Sequence, residues 1–127
     1  MDKAELASIF PKIWCRDTSA FPQTWTPENP AHGQCLATAR IAQEHLGGNV
    51  VLAYVGVDQF IHFYNRLAGC ERLDFTEDQF VEPAVVTPVK AMTCFELDEY
   101  GVFFPEIARR YNLLRLKFQV EAGAMSF

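Results

Sequence analysis

A helix signal that runs directly into strand signals constrains the fold of this chain most. Residues 35–46 carry small and apolar side chains at helical spacing, and Gly47-Gly48 is a typical helix end. Four segments rich in apolar, β-branched and aromatic residues follow, at 49–57, 59–66, 70–76 and 81–89. Because these strands are consecutive, we predict an α+β fold. A central helix near the N-terminus is expected to pack on an antiparallel sheet of about 3–5 strands.

Two flanking helices and a long loop complete the predicted domain. Helix signals lie at 2–13 and 105–119, and Pro11 is expected to end or kink the first helix early. Residues 15–34 are rich in proline and polar turn formers, so we interpret them as an ordered surface loop. The whole chain of 127 residues fits a single domain, 1–127.

Composition and charge exclude several classes of protein. The formal net charge of −5 argues against a nucleic-acid or membrane partner, since both need a basic surface. The first residues lack the order of a signal peptide, and no apolar run approaches the roughly 18 residues of a membrane span. We therefore predict a cytoplasmic protein with reduced thiols. The four cysteines show no CxxC spacing: Cys15, Cys35, Cys70 and Cys94.

Cys35 is the first candidate for chemistry because it opens the predicted helix after Gly33-Gln34. The free N–H groups and the dipole of a helix start favour negative charge, so a thiol there ionises more easily and can act as a nucleophile. The same N–H groups could hold an oxyanion. Gly33 is expected to let the backbone turn sharply and to leave room for a substrate. The structural alternative for Cys35 is a small buried residue.

His62 and Asp74 are the candidates for the base and for the group that orients it. Strand alternation places His62 on one face of the strand 59–66, where a titratable side chain needs a partner. A three-residue loop at 67–69, with Gly69 in the left-handed conformation, would place Asp74 directly opposite His62. A two-residue loop would turn Asp74 to the other face. The structural alternatives are a packed histidine and an exposed aspartate.

Together these residues meet the requirement for nucleophilic catalysis, which is a thiolate, a base within reach and an acceptor that orients the base. The candidate catalytic residues are therefore Cys35, His62 and Asp74. Further oxyanion or pocket candidates are Gln34, Gln23, Trp25, Asn65 and Gln79. Structural roles compete with these: Trp25 as an anchor of the loop, and turn or capping roles for Asn65 and for Thr76 with Gln79.

Two motifs carry a family resemblance: Gly33-Gln34-Cys35, and the pattern H-x-Y-N…D-x-T-x-x-Q-F that begins at His62. In these motifs the chain resembles the small bacterial YunG-like family over roughly residues 14–116. That resemblance implies an arrangement of residues and no substrate.

The order of cysteine on a helix, histidine on a strand and then aspartate also resembles the papain-like and transglutaminase-like cysteine folds. This second resemblance implies that Cys35 is the nucleophile, His62 the base and Asp74 the orienting residue. Papain-type enzymes carry an oxyanion glutamine several residues before the cysteine. Here Gln34 is adjacent and Gln23 is distant.

Three functional hypotheses follow. The first is a cysteine-dependent hydrolase or acyl transferase that acts on an amide or ester of a small molecule, peptide or protein, as a peptidase, deamidase or amidase. The second is a non-catalytic protein-binding domain on the same scaffold. The third is a metal site formed by His32, Cys35 and His62, for which no fourth ligand is evident. We predict neither a cofactor nor a bound metal.

Overall fold

The computed structural model describes residues 1–56, 60–80 and 85–125. Over these residues the chain forms four α-helices: α1 (Lys3–Ile13), α2 (Cys35–Leu46), α3 (Cys94–Phe103) and α4 (Pro105–Met125). Four strands form one sheet: β1 (Asn49–Val55), β2 (Phe60–Arg66), β3 (Arg72–Leu73) and β4 (Val86–Met92). The strand order is β3-β2-β1-β4, and every neighbouring pair is antiparallel. The predicted α+β fold with an antiparallel sheet is confirmed.

Helix α2 lies between the sheet and the other helices. On one side, Ala39 packs with Val50 and Phe63 of the sheet. On the other side, Ile41 belongs to an apolar cluster that contains Leu6 of α1 and residues of α4. Small alanines allow this close approach on both sides, and burial of the apolar surface stabilises the arrangement. The packing therefore fixes where the first residue of α2 lies.

Helix α1 closely follows the predicted helix 2–13, and Pro11 does not end it early. Asp2 is the N-cap, and its carboxylate accepts a hydrogen bond from the Glu5 N–H at 2.9 Å. The helix continues through Pro11 to Ile13, so the expected early end was wrong. Proline removes one hydrogen bond from a helix. Here the buried apolar stripe stabilises the helix across that position: Leu6, Ile9, Phe10 and Ile13.

The C-terminal helices differ most from the prediction. Helix α3 was not predicted, although Thr93 and Glu96 form a capping box at its start. Helix α4 extends beyond the predicted end at residue 119, because Leu114 and Phe118 are buried in the core and the apolar contacts continue after them. None of the described helices is long and apolar enough to cross a membrane.

Strand β4 begins later than the predicted strand 81–89 and runs to Met92. Residues 81–84 of that prediction lie outside the described residues. Pro88 is accommodated because β4 is at the edge of the sheet, where a missing N–H donor is tolerated. The register with β1 shifts between Leu52 and Ala53, near this proline.

The hairpin between β2 and β3 has a longer connection than predicted. Arg66 pairs with Arg72 and not with Cys70, so the turn spans residues 67–71. Gly69 is left-handed as expected, with φ of 77°, and Cys70 adopts the same region with φ of 64°. The predicted three-residue loop was therefore wrong, and the register is displaced by two residues.

Candidate functional site

The N-terminal end of α2 opens into a cavity of about 730 Å³. Cys35 and His62 both line this cavity, together with residues of the loop that precedes α2 and of α3 and α4. Much of its wall is apolar, with contributions from Phe21, Leu36, Phe60, Ile61 and Phe80. The volume and the apolar character are typical of a small-molecule site.

The chain before Cys35 is held tightly against its own loop. Gly33 has φ of 75°, and a Cβ at this position would lie 2.2 Å from Ser19 Oγ and 2.8 Å from the Ala20 nitrogen. The Ala20 N–H donates to the Gly33 carbonyl at 2.9 Å. The Cβ position of Gly33 is therefore filled by the loop, although Gly33 itself lines the cavity. The sharp backbone turn that the sequence predicted is present.

Cys35 is the first residue of α2 and its side chain is half-buried. The N-cap residue, Gln34, makes no capping hydrogen bond with its side chain, so it does not occupy the N–H groups of the first turn. Leu36 and Ala37 of this turn also line the cavity. The sulfur thus lies beside the positive end of the helix dipole, where an anion is stabilised.

His62 and Asp74 form a buried pair. The His62 Nε2 donates a hydrogen bond to Asp74 Oδ2 at 2.6 Å, and the two side chains are only 2% and 3% exposed. The direct cross-strand pairing predicted for them was wrong. Because the register is displaced by an even number of residues, Asp74 nevertheless keeps the face of the sheet on which His62 lies. Nδ1 is the His62 nitrogen that remains for the Cys35 thiol.

The neighbours of His62 determine its charge. Burial is the largest single effect and lowers the pKa of the imidazole, but the hydrogen bond to Asp74, the interaction with Cys35 and the charge of Asp74 together outweigh it. The resulting pKa of His62 is about 9. At neutral pH, His62 is therefore an imidazolium that interacts with a carboxylate and with the thiol.

Asp74 is held in place by its own neighbours. Its Oδ1 accepts hydrogen bonds from the N–H and the hydroxyl of Thr76, each at 3.1 Å. The Arg72 guanidinium lies 3.7 Å from Oδ2 and above the ring of Tyr64. The Thr76 hydroxyl thus positions Asp74 and does not cap the following turn, which corrects the capping role expected for Thr76 with Gln79.

The glutamine candidates have different positions. Gln79 lines the cavity, and its Nε2 donates to the Thr76 carbonyl at 3.0 Å. Gln34 is fully buried and connects the loop to the helix start: its Oε1 accepts from the Thr18 hydroxyl at 2.7 Å and its Nε2 donates to the Cys15 carbonyl at 2.8 Å. Gln23 is exposed. Only Gln79 of these three is among the described residues that line the cavity.

Asn65 and Trp25 hold the structure together near the site. The Asn65 Nδ2 donates to the Ala39 carbonyl at 2.9 Å and so connects the sheet to α2. The Trp25 Nε1 donates to the Pro30 carbonyl at 3.0 Å within the loop. Neither is found among the described lining residues of the cavity.

The metal hypothesis concerned His32, which does line the cavity. Its Nε2 lies 2.8 Å from the hydroxyl oxygen of Thr24. Within residues 1–56, 60–80 and 85–125, no three His, Cys, Asp or Glu side chains are grouped as metal ligands.

The sequence reasoning missed every cavity residue of the C-terminal helices: Tyr100, Ile107 and Arg110. They belong to α3 and α4, and sequence patterns do not show which distant helix approaches the start of α2. One signal was available for Arg110. It follows Ile107 by three residues and lies next to the apolar stripe of α4, so it lies close to the face that packs inward.

Comparison with known proteins places these residues in a family. A family model described as YunG protein matches residues 2–123. The chain belongs to the YunG family. A curated relative named "Uncharacterized protein YunG", from Bacillus subtilis strain 168, is 40% identical over 75 residues. This match covers 59% of the chain and 60% of the relative. No solved structure matches the chain significantly.

Proposed function

We propose that this protein is a cysteine-dependent hydrolase or acyl transferase that acts on amides or esters. The single observation that carries the proposal is the buried His62–Asp74 pair, joined at 2.6 Å, in the wall of the same cavity as Cys35. A buried imidazolium–carboxylate pair costs desolvation energy, so its placement beside a thiol in an open cavity favours a chemical role over a packing role.

In the first half of the proposed reaction, the Cys35 thiolate attacks the substrate carbonyl carbon and a C–S bond forms. The carbonyl oxygen becomes an oxyanion, which the N–H groups at the start of α2 stabilise. The His62 imidazolium then gives its Nδ1 proton to the leaving nitrogen or oxygen as that bond breaks. An acyl group remains on the sulfur, and His62 is neutral.

In the second half, neutral His62 takes a proton from a water molecule, and the resulting hydroxide attacks the acyl carbon. The C–S bond breaks, the acid is released, and the thiolate and imidazolium are restored. Another nucleophile in place of water would make the reaction an acyl transfer. Asp74 acts throughout by keeping Nε2 protonated and the ring oriented.

We also propose that α2 and the sheet form a papain-like core. The support is the order of the elements: the cysteine begins the central helix, the histidine lies on a strand that packs beside it, and the carboxylate follows the next strand. The four free cysteines support a reducing compartment such as the cytosol.

A non-catalytic binding domain is the second candidate. Phe60 and Ile61 favour it, because they line the cavity while 65% and 57% exposed and would offer an apolar contact surface to a partner. The two candidates differ in one respect: only the enzyme forms a covalent intermediate on Cys35.

The experiment is capture of that intermediate. The protein is mixed with p-nitrophenyl butyrate and with apolar amides, quenched within seconds and analysed by mass spectrometry of its peptides. We expect a butyryl group on Cys35, release of p-nitrophenol over many turnovers, and loss of both in Cys35→Ala. Cys70→Ala is the matched control and should retain both, since Cys70 is exposed and lies outside the cavity lining. No adduct and no turnover above the uncatalysed rate would contradict the proposal.

A further inference from the structure

Most titratable side chains that line the cavity are basic, although the chain as a whole is acidic. The net charge of the chain is −5. Among the described lining residues, however, the basic side chains are His32, His62 and Arg110, and the only other titratable groups are the Cys35 thiol and the Tyr100 phenol. No aspartate or glutamate is among those lining residues, since Asp74 lies behind His62. Basic groups in apolar walls attract an anionic ligand more strongly than the same groups in water would.

Arg110 is the basic residue that the proposed reaction does not use. It is half-buried in the cavity wall and makes no hydrogen bond or salt bridge with another described residue. The neighbouring Arg109 differs, because its guanidinium Nε donates to Glu106 Oε2 at 2.9 Å. Partly buried guanidinium groups are normally paired, so an unpaired one in a cavity indicates a binding role.

Arg110 lines the same cavity as the reacting sulfur of Cys35. Burial lowers the pKa of Arg110, and the charges of Glu106 and, less strongly, of Cys35 act in the opposite direction. Tyr100 and Ile107 line the same side of the cavity, so an apolar group can lie beside the guanidinium. A planar guanidinium binds a carboxylate through two parallel hydrogen bonds.

We propose that Arg110 binds a carboxylate of the substrate, and that the substrate class is small apolar amides or esters that carry a free carboxylate, such as N-acylated apolar amino acids. This inference deepens the proposed function and rests on it. The inference is carried by this guanidinium, which lines the same apolar cavity as Cys35 and makes no hydrogen bond or salt bridge with another described residue. The cavity of about 730 Å³ has room for a compound of this size.

The test is equilibrium binding, measured by calorimetry at low salt. The probes are N-acetylphenylalanine and N-acetylleucine, each compared with its neutral carboxyl amide. We expect the wild-type protein to bind each acid about tenfold more tightly than its amide, which is the typical effect of one hydrogen bond to a charged group. In Arg110→Gln this preference should disappear, and in Arg110→Lys part of it should remain.

Arg109→Gln is the matched control, and it should keep the full preference for the acid. If the wild-type protein binds the acid and the amide equally well, or binds neither, the inference is overturned. This outcome does not depend on whether the variants fold. A preference that survives in Arg110→Gln would overturn the inference as well. These measurements need no chemistry at Cys35, so their outcome does not depend on acyl capture. Failure of acyl capture with an intact preference would count against the hydrolase proposal alone.

Discussion

The two ends of helix α2 contain similar residues in different surroundings. At its N-terminal end, Gly33 is enclosed by the loop and His62 is buried beside Cys35. At its C-terminal end, a Cβ added to Gly47 would meet no atom within 4 Å, and His45 is exposed beside the ring of Phe118 at a centroid distance of 5.0 Å. Glycine and histidine are therefore enclosed by neighbouring atoms at the N-terminal end of α2 and exposed at its C-terminal end.

The two histidines show what this difference does to charge. Burial is the largest single effect on both and lowers the pKa of each, and nothing outweighs it at His45, so the pKa of His45 falls below its ordinary value of 6.5. For His62 the Asp74 carboxylate, together with Cys35, reverses the direction and raises the pKa to about 9. A hydrogen-bonded carboxylate, and not the degree of burial, thus decides whether the imidazole is charged at neutral pH.

The strongest test of this comparison is Asp74→Asn. The amide keeps the shape of Asp74 but removes the charge, so burial should dominate at His62 as it does at His45. We expect the pKa of His62 to fall by about two units or more, measured by NMR titration of the imidazole. Asp98→Asn is the control, since Asp98 pairs with Arg40 away from the cavity. A pKa that remains near 9 in Asp74→Asn would contradict the role given to the carboxylate.

The second prediction concerns stability and pH. The folded-state pKa of His62, about 9, lies above the ordinary value of 6.5, so protonation of His62 stabilises the fold. This stabilisation is complete below pH 6.5 and is lost as the pH rises through about 9. We expect the free energy of unfolding to fall on the order of 3 kcal/mol across this interval, measured by urea unfolding. His62→Gln should flatten the profile, whereas a profile unchanged by that substitution would assign the pH dependence to other groups.

The third prediction compares the two glycines. Gly33 and Gly47 both have positive φ, 75° and 73°, so alanine meets backbone strain at both, and Gly47, with ψ of −159°, lies in a region that essentially only glycine adopts. Only at position 33 does the new Cβ also overlap neighbouring atoms. We expect Gly33→Ala to lower the free energy of unfolding by at least as much as Gly47→Ala, because the overlap adds about 2 kcal/mol to its backbone strain. A smaller loss for Gly33→Ala would mean that the loop moves aside without cost.

The smallest effect is predicted for His45→Gln. The lowered pKa of His45 gives stability that is present above pH 6.5 and lost as the pH falls. Because the side chain is exposed and its interactions are screened by water, the substitution should change the free energy of unfolding by less than about 0.5 kcal/mol. Thermal unfolding at about pH 5 and about pH 8, on either side of the ordinary histidine pKa, measures this. A larger change at either pH would mean that the contact with Phe118 contributes more than we infer.

The sequence predicted the elements whose signals are local. Helix α2 has the predicted bounds, because its helical spacing and the glycines that end it lie within the segment itself. The contact between His62 and Asp74 was also anticipated, because strand alternation limits each side chain to one of two faces. The register of the hairpin between β2 and β3 was not anticipated. The turn at 67–71 depends on a second left-handed residue, Cys70, that no turn rule selects.

Features that depend on distant segments could not be read from the sequence. Gln34 was a pocket candidate, yet its side chain connects Thr18 to the Cys15 carbonyl, a contact that only the folded loop creates. Arg110 was missed because its place in the cavity depends on how α4 packs across α2. Local patterns report on periodicity and caps, whereas such packing is set by the shapes of many side chains together.

The measurement that tests the central claim most directly is the rate at which each cysteine is alkylated by iodoacetamide near neutral pH. Mass spectrometry separates Cys35 from Cys70 and Cys94, which are exposed and lie outside the cavity lining. The account predicts that Cys35 reacts about tenfold faster than either exposed thiol, although it is half-buried, and that His62→Gln removes this advantage. If Cys35 reacts at the rate of the exposed cysteines or more slowly, it is not the activated nucleophile that the proposed function requires.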